Sequence, residues 1–192
     1  MNRTRNPELK RKKIIEAALK ILRDGGFLTK FSLDTVAQEA GVSKGGLIHH
    51  FGSKEVLLTA VAEEVTSDFE ARVRAFMDEE PEGTPGRLLR SYIRVVLSDE
   101  GEALADVSPV LLSYTKKVGA RGSRFDYWRD MMAHDGLDET LATKVRLTVD
   151  GLLYTEMIDG RPIDRHLRRQ IFTQLLKEIG VKGGKNGASE GY

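Results

Sequence analysis

The chain has 192 residues, of which 40% are hydrophobic and 31% charged, and its formal net charge is +1. That length fits one medium domain or two small ones, and the composition is that of an ordinary soluble globular protein rather than a disordered one. A cysteine count of 0 excludes disulfide frameworks, thiolate zinc sites and Cys nucleophiles, and no run approaches the ~18 consecutive apolar residues that would cross a bilayer.

Every expected element is a helix. Asn6-Pro7 reads as an N-cap followed by proline at the first helical position, and Ile14, Ala17, Ala18, Ile21 and Leu22 then repeat at helical spacing until Gly25-Gly26. Ser32 caps a short second helix with the stripe Leu33, Val36, Ala37 and Ala40, ended by Gly41. Ser43 caps a third carrying Leu47, Ile48 and Phe51, and a long fourth runs from Lys54 to Asp78 with Leu57, Val61, Val65, Phe69 and Val73 four residues apart. Pro81 to Gly86 marks a boundary. Beyond it the pattern predicts helices over Pro85 to Leu97, Glu102 to Val118 (kinked at Pro109), Ser123 to Ala133, Leu137 to Ile158 and Ile163 to Ile179. The expected architecture is all-α, with a three-helix head over residues 1–54, a helical body over 55–180 and a glycine-rich, disordered tail over 181–192.

Function concentrates between Leu33 and Phe51. Two short capped helices joined at Gly41-Val42-Ser43 have the form of a helix-turn-helix: small Ala37 permits close approach, Gly41 suits a left-handed turn, and Val42 and Leu47 fill the space between the helices. The helix that starts at Ser43 then stands proud, with Lys44 and its first-turn N–H groups outward, as entry into a DNA major groove requires. The charge distribution agrees. Through Lys54 there are 11 Lys and Arg against 5 acids, a net +6, whereas the remainder carries 19 against 24, a net −5. Lys54, with Arg3 and Arg5 in an N-terminal arm, is placed to meet phosphates on either side. Met1 to Lys13 is polar and basic, without the apolar centre of a secretory signal, so a cytoplasmic location is expected.

The stretch from Ile15 to Leu58 resembles the N-terminal domain of the TetR family of bacterial transcriptional regulators. The likeness rests on Ala17-Ala18-Leu19 with Gly25-Gly26-Phe27, on Ser32-Leu33-Asp34-Thr35-Val36-Ala37, on Ala40-Gly41-Val42-Ser43-Lys44-Gly45, and on His49-His50-Phe51-Gly52-Ser53-Lys54-Glu55. Tyr127-Trp128 and Asp150-Gly151-Leu152-Leu153 are similar to motifs of that family's seventh and eighth helices. The resemblance implies nine or so helices, a homodimer that binds a palindromic DNA operator, and a C-terminal domain whose small-molecule effector changes the spacing of the two heads, most simply in a repressor. It also implies that Ser32, Thr35, His49 and Lys54 contact phosphates and that Ser43, Lys44 and Gly45 form the groove-reading turn. The chain departs from the family at Gly46, where Thr is usual, and at Ile48, where Tyr is usual; each change deletes a hydroxyl. A DNA-bound protein acting through a protein partner is the alternative within the same fold.

In the body, Tyr92, Leu112, Phe125, Trp128, Met131 and Met132 are either ordinary core or the lining of an effector pocket suited to an apolar or aromatic ligand, and an anionic ligand gains nothing from the overall field of a body of net −5. The dimer interface is expected on the last two helices. Gly151 permits close approach there, Leu167, Ile171 and Leu175 form the stripe a monomer buries, and Phe172, Leu176 and Ile179 form an adjacent one left partly exposed for a second chain. Adjacent His49 and His50 point about 100° apart and have no sequence-local partners, so neither a metal site nor acid-base chemistry is expected. His134, Asp135 and Asp138 read as a solvated helix-end turn. No glycine-rich phosphate loop or Ser/His/Asp arrangement is present, and neither an enzyme nor a cofactor is expected.

Overall fold

The computed structural model describes residues 7–24, 31–98, 122–159 and 163–182, without the side chains of 122–126, 154, 156–159 and 181–182. Among the described residues there are eight helices and no strand: α1 (Pro7–Arg23), α2 (Leu33–Glu39), α3 (Lys44–Phe51), α4 (Lys54–Met77), α5 (Arg87–Leu97), α6 (Gly122–Ala133), α7 (Glu139–Asp159) and α8 (Arg165–Lys182). The expected helix over Glu102 to Val118 and its kink at Pro109 lie outside the described residues. Helices α1 to α3 and α4 as far as Ser67 belong to one compact unit, and α4 from Asp68 onward belongs with α5 to α8 to a second.

In the first unit the helix boundaries are set by side chains near in sequence. α1 carries Glu8 in its first turn and Lys20 and Arg23 in its last, each sign matched to the helix dipole, and it buries Ile14, Ile15, Ala17, Ala18 and Leu22. Ser32 and Thr35 form a reciprocal capping box at the start of α2: the Thr35 N–H donates to Ser32 Oγ at 3.1 Å, and the Ser32 N–H to Thr35 Oγ1 at 3.0 Å. α2 closes in a Schellman arrangement. The Val42 N–H donates to the Ala37 carbonyl at 2.9 Å and the Gly41 N–H to the Gln38 carbonyl at 3.1 Å, with Gly41 at φ +65°, a conformation that side chains with a Cβ resist. Ser43 then caps α3 by accepting from the Gly46 N–H at 3.0 Å. Val36, Ala37, Leu47 and Phe51 are all buried, so α2 and α3 hold each other through the apolar contact that their spacing implies.

The second unit is built on α5, which buries Leu88, Leu89, Ser91, Tyr92, Ile93, Val95 and Val96. Around it pack Val73 of α4, Met132 of α6, Leu141, Ala142, Val145 and Val149 of α7, and Phe172, Leu175 and Ile179 of α8. Three helices begin two residues later than the sequence pattern predicts, at Arg87, Glu139 and Arg165. Aspartates explain each delay. Asp138 accepts from the Leu141 N–H and Asp164 from the N–H groups of His166 and Leu167, so both aspartates are caps rather than first-turn residues. α5 has no side-chain cap of its own, because its N-cap is Gly86, which stands in the left-handed region at φ +76° where a Cβ would collide with Ile179 Cγ2. Its first N–H groups are met instead by the Asp135 carboxylate, with Leu88 N at 3.1 Å and Leu89 N at 2.8 Å. The supposed solvated turn at His134 to Asp138 is therefore a capping element for two helices. α8 continues to Lys182, so the first two residues of the expected tail are helical, and 183–192 lie outside the described residues.

Candidate nucleic-acid interface and regulatory body

Burial of Leu47 and Phe51 determines which side of α3 faces out. One turn apart on the opposite side, Lys44, Gly45, Ile48 and His49 are exposed, and Ile48 keeps 41% of its surface in solvent. A Cβ added at Gly45 would meet nothing within 4 Å, whereas one at Gly46 would lie 3.1 Å from Ser43 Oγ. The two glycines therefore differ: Gly45 bares the outer face of the helix, and Gly46 leaves room for the N-cap hydroxyl.

The polar residues expected at the DNA face are engaged within the head. Lys44 Nζ donates to Asp34 Oδ2 at 2.9 Å, an exposed pair with 55% and 64% of the two side chains in solvent. Lys54 Nζ donates to the Phe31 carbonyl at 2.9 Å and lies 5.1 Å from the centre of the Phe31 ring. The hydroxyls of Ser32 and Thr35 serve the capping box, and that of Ser43 caps α3. His49 is exposed, its ring edge-on to His50. Arg3 and Arg5 lie outside the described residues. Sequence reasoning did not find Asp34 and Phe31 as partners. Asp34 is ten residues from Lys44, and only a folded turn brings them together.

In the body, Tyr92 and Met132 are buried and Trp128 and Met131 half-buried, all four within or against one core. Leu112 and the Phe125 side chain lie outside the described residues. Two polar links cross this region. Tyr92 donates its hydroxyl to Asp150 Oδ1 at 2.8 Å, and Arg146 meets the other oxygen at 3.1 Å. Burial, then the neighbouring Asp150 carboxylate, pushes the Tyr92 phenol well above its ordinary range, so it remains a protonated donor. Trp128 donates its indole N–H to Glu70 at 2.8 Å, and the Arg74 guanidinium carbon lies 5.4 Å from the centre of the Trp128 ring.

The expected assignment of stripes on α8 needs correction. Phe172 and Leu175 are buried in the monomer at 0% and 4% exposure, Ile171 is half-buried, and Leu167 is 49% exposed. The helix is rolled so that Phe172, Leu175 and Ile179 face α5, which leaves Leu167 outward. Phe172 and Leu175 are thus committed to their own chain's core and offer no surface to a second chain. On α7, Gly151 is exposed with nothing within 4 Å of an added Cβ, and Leu147, one turn earlier, is 56% exposed. No facing helix of the same chain accounts for that glycine among the described residues.

Comparison with known proteins places this geometry. Residues 14–61 match the family model of bacterial regulatory proteins of the tetR family, and residues 86–180 match the tetracyclin repressor-like C-terminal domain. The chain is 31% identical over 168 residues to the HTH-type transcriptional regulator BetI of Rhizobium meliloti, which covers 81% of each protein. It is 35% identical over 95 residues to the HTH-type transcriptional regulator RutR of Escherichia coli K12, a match that takes in 50% of this chain but only 43% of RutR. The structure of the multidrug binding protein EbrR complexed with ethidium shares the fold, with a TM-score of 0.59 at 24% identity over 86% of this chain and 98% of that one. The two-helix element at Leu33–Phe51 lies within the first of these matched regions and has helix-turn-helix geometry. The chain belongs to the tetR family of bacterial regulatory proteins.

Proposed function

We propose that this protein is a repressor that binds a palindromic operator as a homodimer in the cytoplasm and is released from it by a small-molecule effector. The observation that carries the reading is the outward face of α3, where Lys44, Gly45, Ile48 and His49 stand exposed on a helix anchored by buried Leu47 and Phe51. Lys44 and Gly45, with the capped turn at Ser43, enter the major groove, and Ser32, Thr35, His49, Lys54, Arg3 and Arg5 meet the phosphates alongside. To reach DNA, Lys44 exchanges Asp34 for a phosphate or base edge. That exchange costs little, because an exposed ion pair is worth about 0 to 1 kcal/mol.

Residues 1–54 act as the DNA-binding head and 55–180 as the effector-binding and dimerisation domain. The effector is received near Tyr92, Leu112, Phe125, Trp128, Met131 and Met132, and the ethidium complex of EbrR supports an aromatic ligand. The second chain is met on α7 and α8 at Gly151, Leu167 and Ile171, joined by Leu147. Among the described residues no helix is long and apolar enough to cross a membrane. Release requires the effector to prefer the DNA-incompetent dimer, and a hundredfold preference corresponds to about 2.7 kcal/mol of coupling.

The test is selection of bound duplexes from random DNA, followed by titration of the enriched sequence and a scrambled one at several salt concentrations. A palindromic consensus bound by two chains is expected. Equal, weak binding to every duplex would remove the operator from the proposal.

A further inference from the structure

Ile48 is the one exposed large hydrophobic residue described on α3, and it shares its face with Lys44, Gly45 and His49. Single exposed aliphatic residues are common on protein surfaces, but this one stands on the helix that the family directs at DNA. A β-branched side chain in a helix is held in essentially one χ1 rotamer, so its methyl groups occupy a defined position. Gly45, three residues earlier on the same face, adds no Cβ, and nothing lies within 4 Å of where one would stand. The backbone beside Ile48 is therefore bare, and a groove floor can come close to it.

The major groove offers such a side chain very little. Its base edges are hydrogen-bond donors and acceptors, its walls carry phosphates, and the one apolar group on any base edge is the C5-methyl of thymine. An isoleucine there forms no hydrogen bond, and it would strip water from any polar edge it covered without replacing it. We infer that Ile48 is a specificity-determining residue that packs on a thymine methyl in each operator half-site, with Gly45 allowing the approach. Tyr is usual at this position in the family, and its hydroxyl could donate to a phosphate; Ile48 exchanges that ability for recognition of a base. The inference rests on the operator reading above and adds the base that this position selects.

The experiment uses the enriched operator and replaces each thymine of a half-site in turn by deoxyuridine, which removes the methyl and leaves the base pair intact. For the wild-type protein we expect one or two positions at which uracil weakens binding about fourfold, the effect of one buried methyl. At those positions the penalty should vanish in Ile48→Ala and persist in Ile48→Val, which keeps the branched Cβ. With Ile48 partly in solvent, both variants should retain the helical circular dichroism and melting temperature of the wild type. Uracil penalties of the same size in wild type and Ile48→Ala would overturn the inference while leaving operator binding in place. An operator that shows no uracil penalty at any thymine would overturn it equally. Failure to enrich any sequence would instead remove the operator reading itself, and the assignment of Ile48 with it.

Discussion

Lys54 and Phe31 are joined twice, by an ammonium that donates to the Phe31 carbonyl at 2.9 Å and by the same ammonium 5.1 Å from the ring centre. Phe31 immediately precedes the Ser32 cap, so the first residue of α4 holds the entry to α2. Lys54→Ala should cost about 1 kcal/mol of stability from the lost hydrogen bond and cation-π contact. If the same ammonium reaches a phosphate, binding weakens alike for every sequence, and the slope of log K against log salt falls by about 0.9. Thermal melts and salt titrations of the variant separate the two contributions.

Gly45→Ala should make the protein more stable and a poorer DNA binder. Nothing crowds a Cβ there, so the helix gains propensity, by about 0.5 kcal/mol or less because Gly45 stands in the first turn rather than the interior. The added methyl group projects from the exposed face of α3 and should hold the groove away. Chemical denaturation and operator titration are expected to move in opposite directions.

Glu80 pairs with Arg90 through both carboxylate oxygens, and Arg90 also donates to the Pro85 carbonyl at 2.9 Å. The Arg90 hydrogen bonds, against partial desolvation, hold the Glu80 carboxyl below its ordinary value of 4.5. A depressed carboxylate stabilises the fold fully above its unfolded value and loses that contribution as the pH falls through the lower folded one. Glu80→Gln should therefore destabilise by about 1 kcal/mol at pH 7. The gap between variant and wild type should close on acidification below 4.5, read from denaturation curves across that range.

Leu147→Glu and Leu167→Glu should leave the fold intact and convert dimers to monomers, because both side chains are about half in solvent in the single chain. Phe172→Glu should fail differently. Its ring is fully buried, so the charge would be introduced into the core at a cost of more than about 3 kcal/mol, and the chain should unfold. Sedimentation at micromolar concentration and circular dichroism distinguish the two outcomes.

Trp128 is the single tryptophan, and its indole N–H is bonded to Glu70 while Arg74 lies over its ring. Glu70→Gln should shift its emission without a ligand present. A compound that releases the protein from its operator should change the emission of the wild type, and Trp128→Ala should lower the affinity for that compound. Tryptophan emission of the wild type, and calorimetric titration of the wild type and Trp128→Ala, both with ethidium as first probe and no DNA present, test this.

The head was legible in the sequence because the groups that define it are close together along the chain. Ser32 and Thr35 cap α2, Gly41 closes it, Ser43 caps α3, and Leu47 and Phe51 select its inner face, all within twenty residues and all through contacts that helical spacing fixes. The roles of Lys44 and Lys54 in the free protein were not legible. Their partners, Asp34 and Phe31, lie 10 and 23 residues away, and nothing in the pattern of apolar residues specifies which carboxylate or carbonyl an ammonium will find. The body shows the same division more strongly. Helical periodicity identified the apolar residues of α8, but two neighbouring stripes on one helix have the same composition whichever of them faces inward. Only packing against α5 settled that Phe172, Leu175 and Ile179 are core and Leu167 is surface. The cap of α5 is likewise a tertiary decision: Asp135 reaches the N–H groups of Leu88 and Leu89 from 47 and 46 residues away, since a remote carboxylate satisfies a helix end as well as a local one. Local hydrogen bonds and spacing are written in consecutive residues, whereas the roll of a helix and the partner of a charge depend on which surfaces the whole chain brings together.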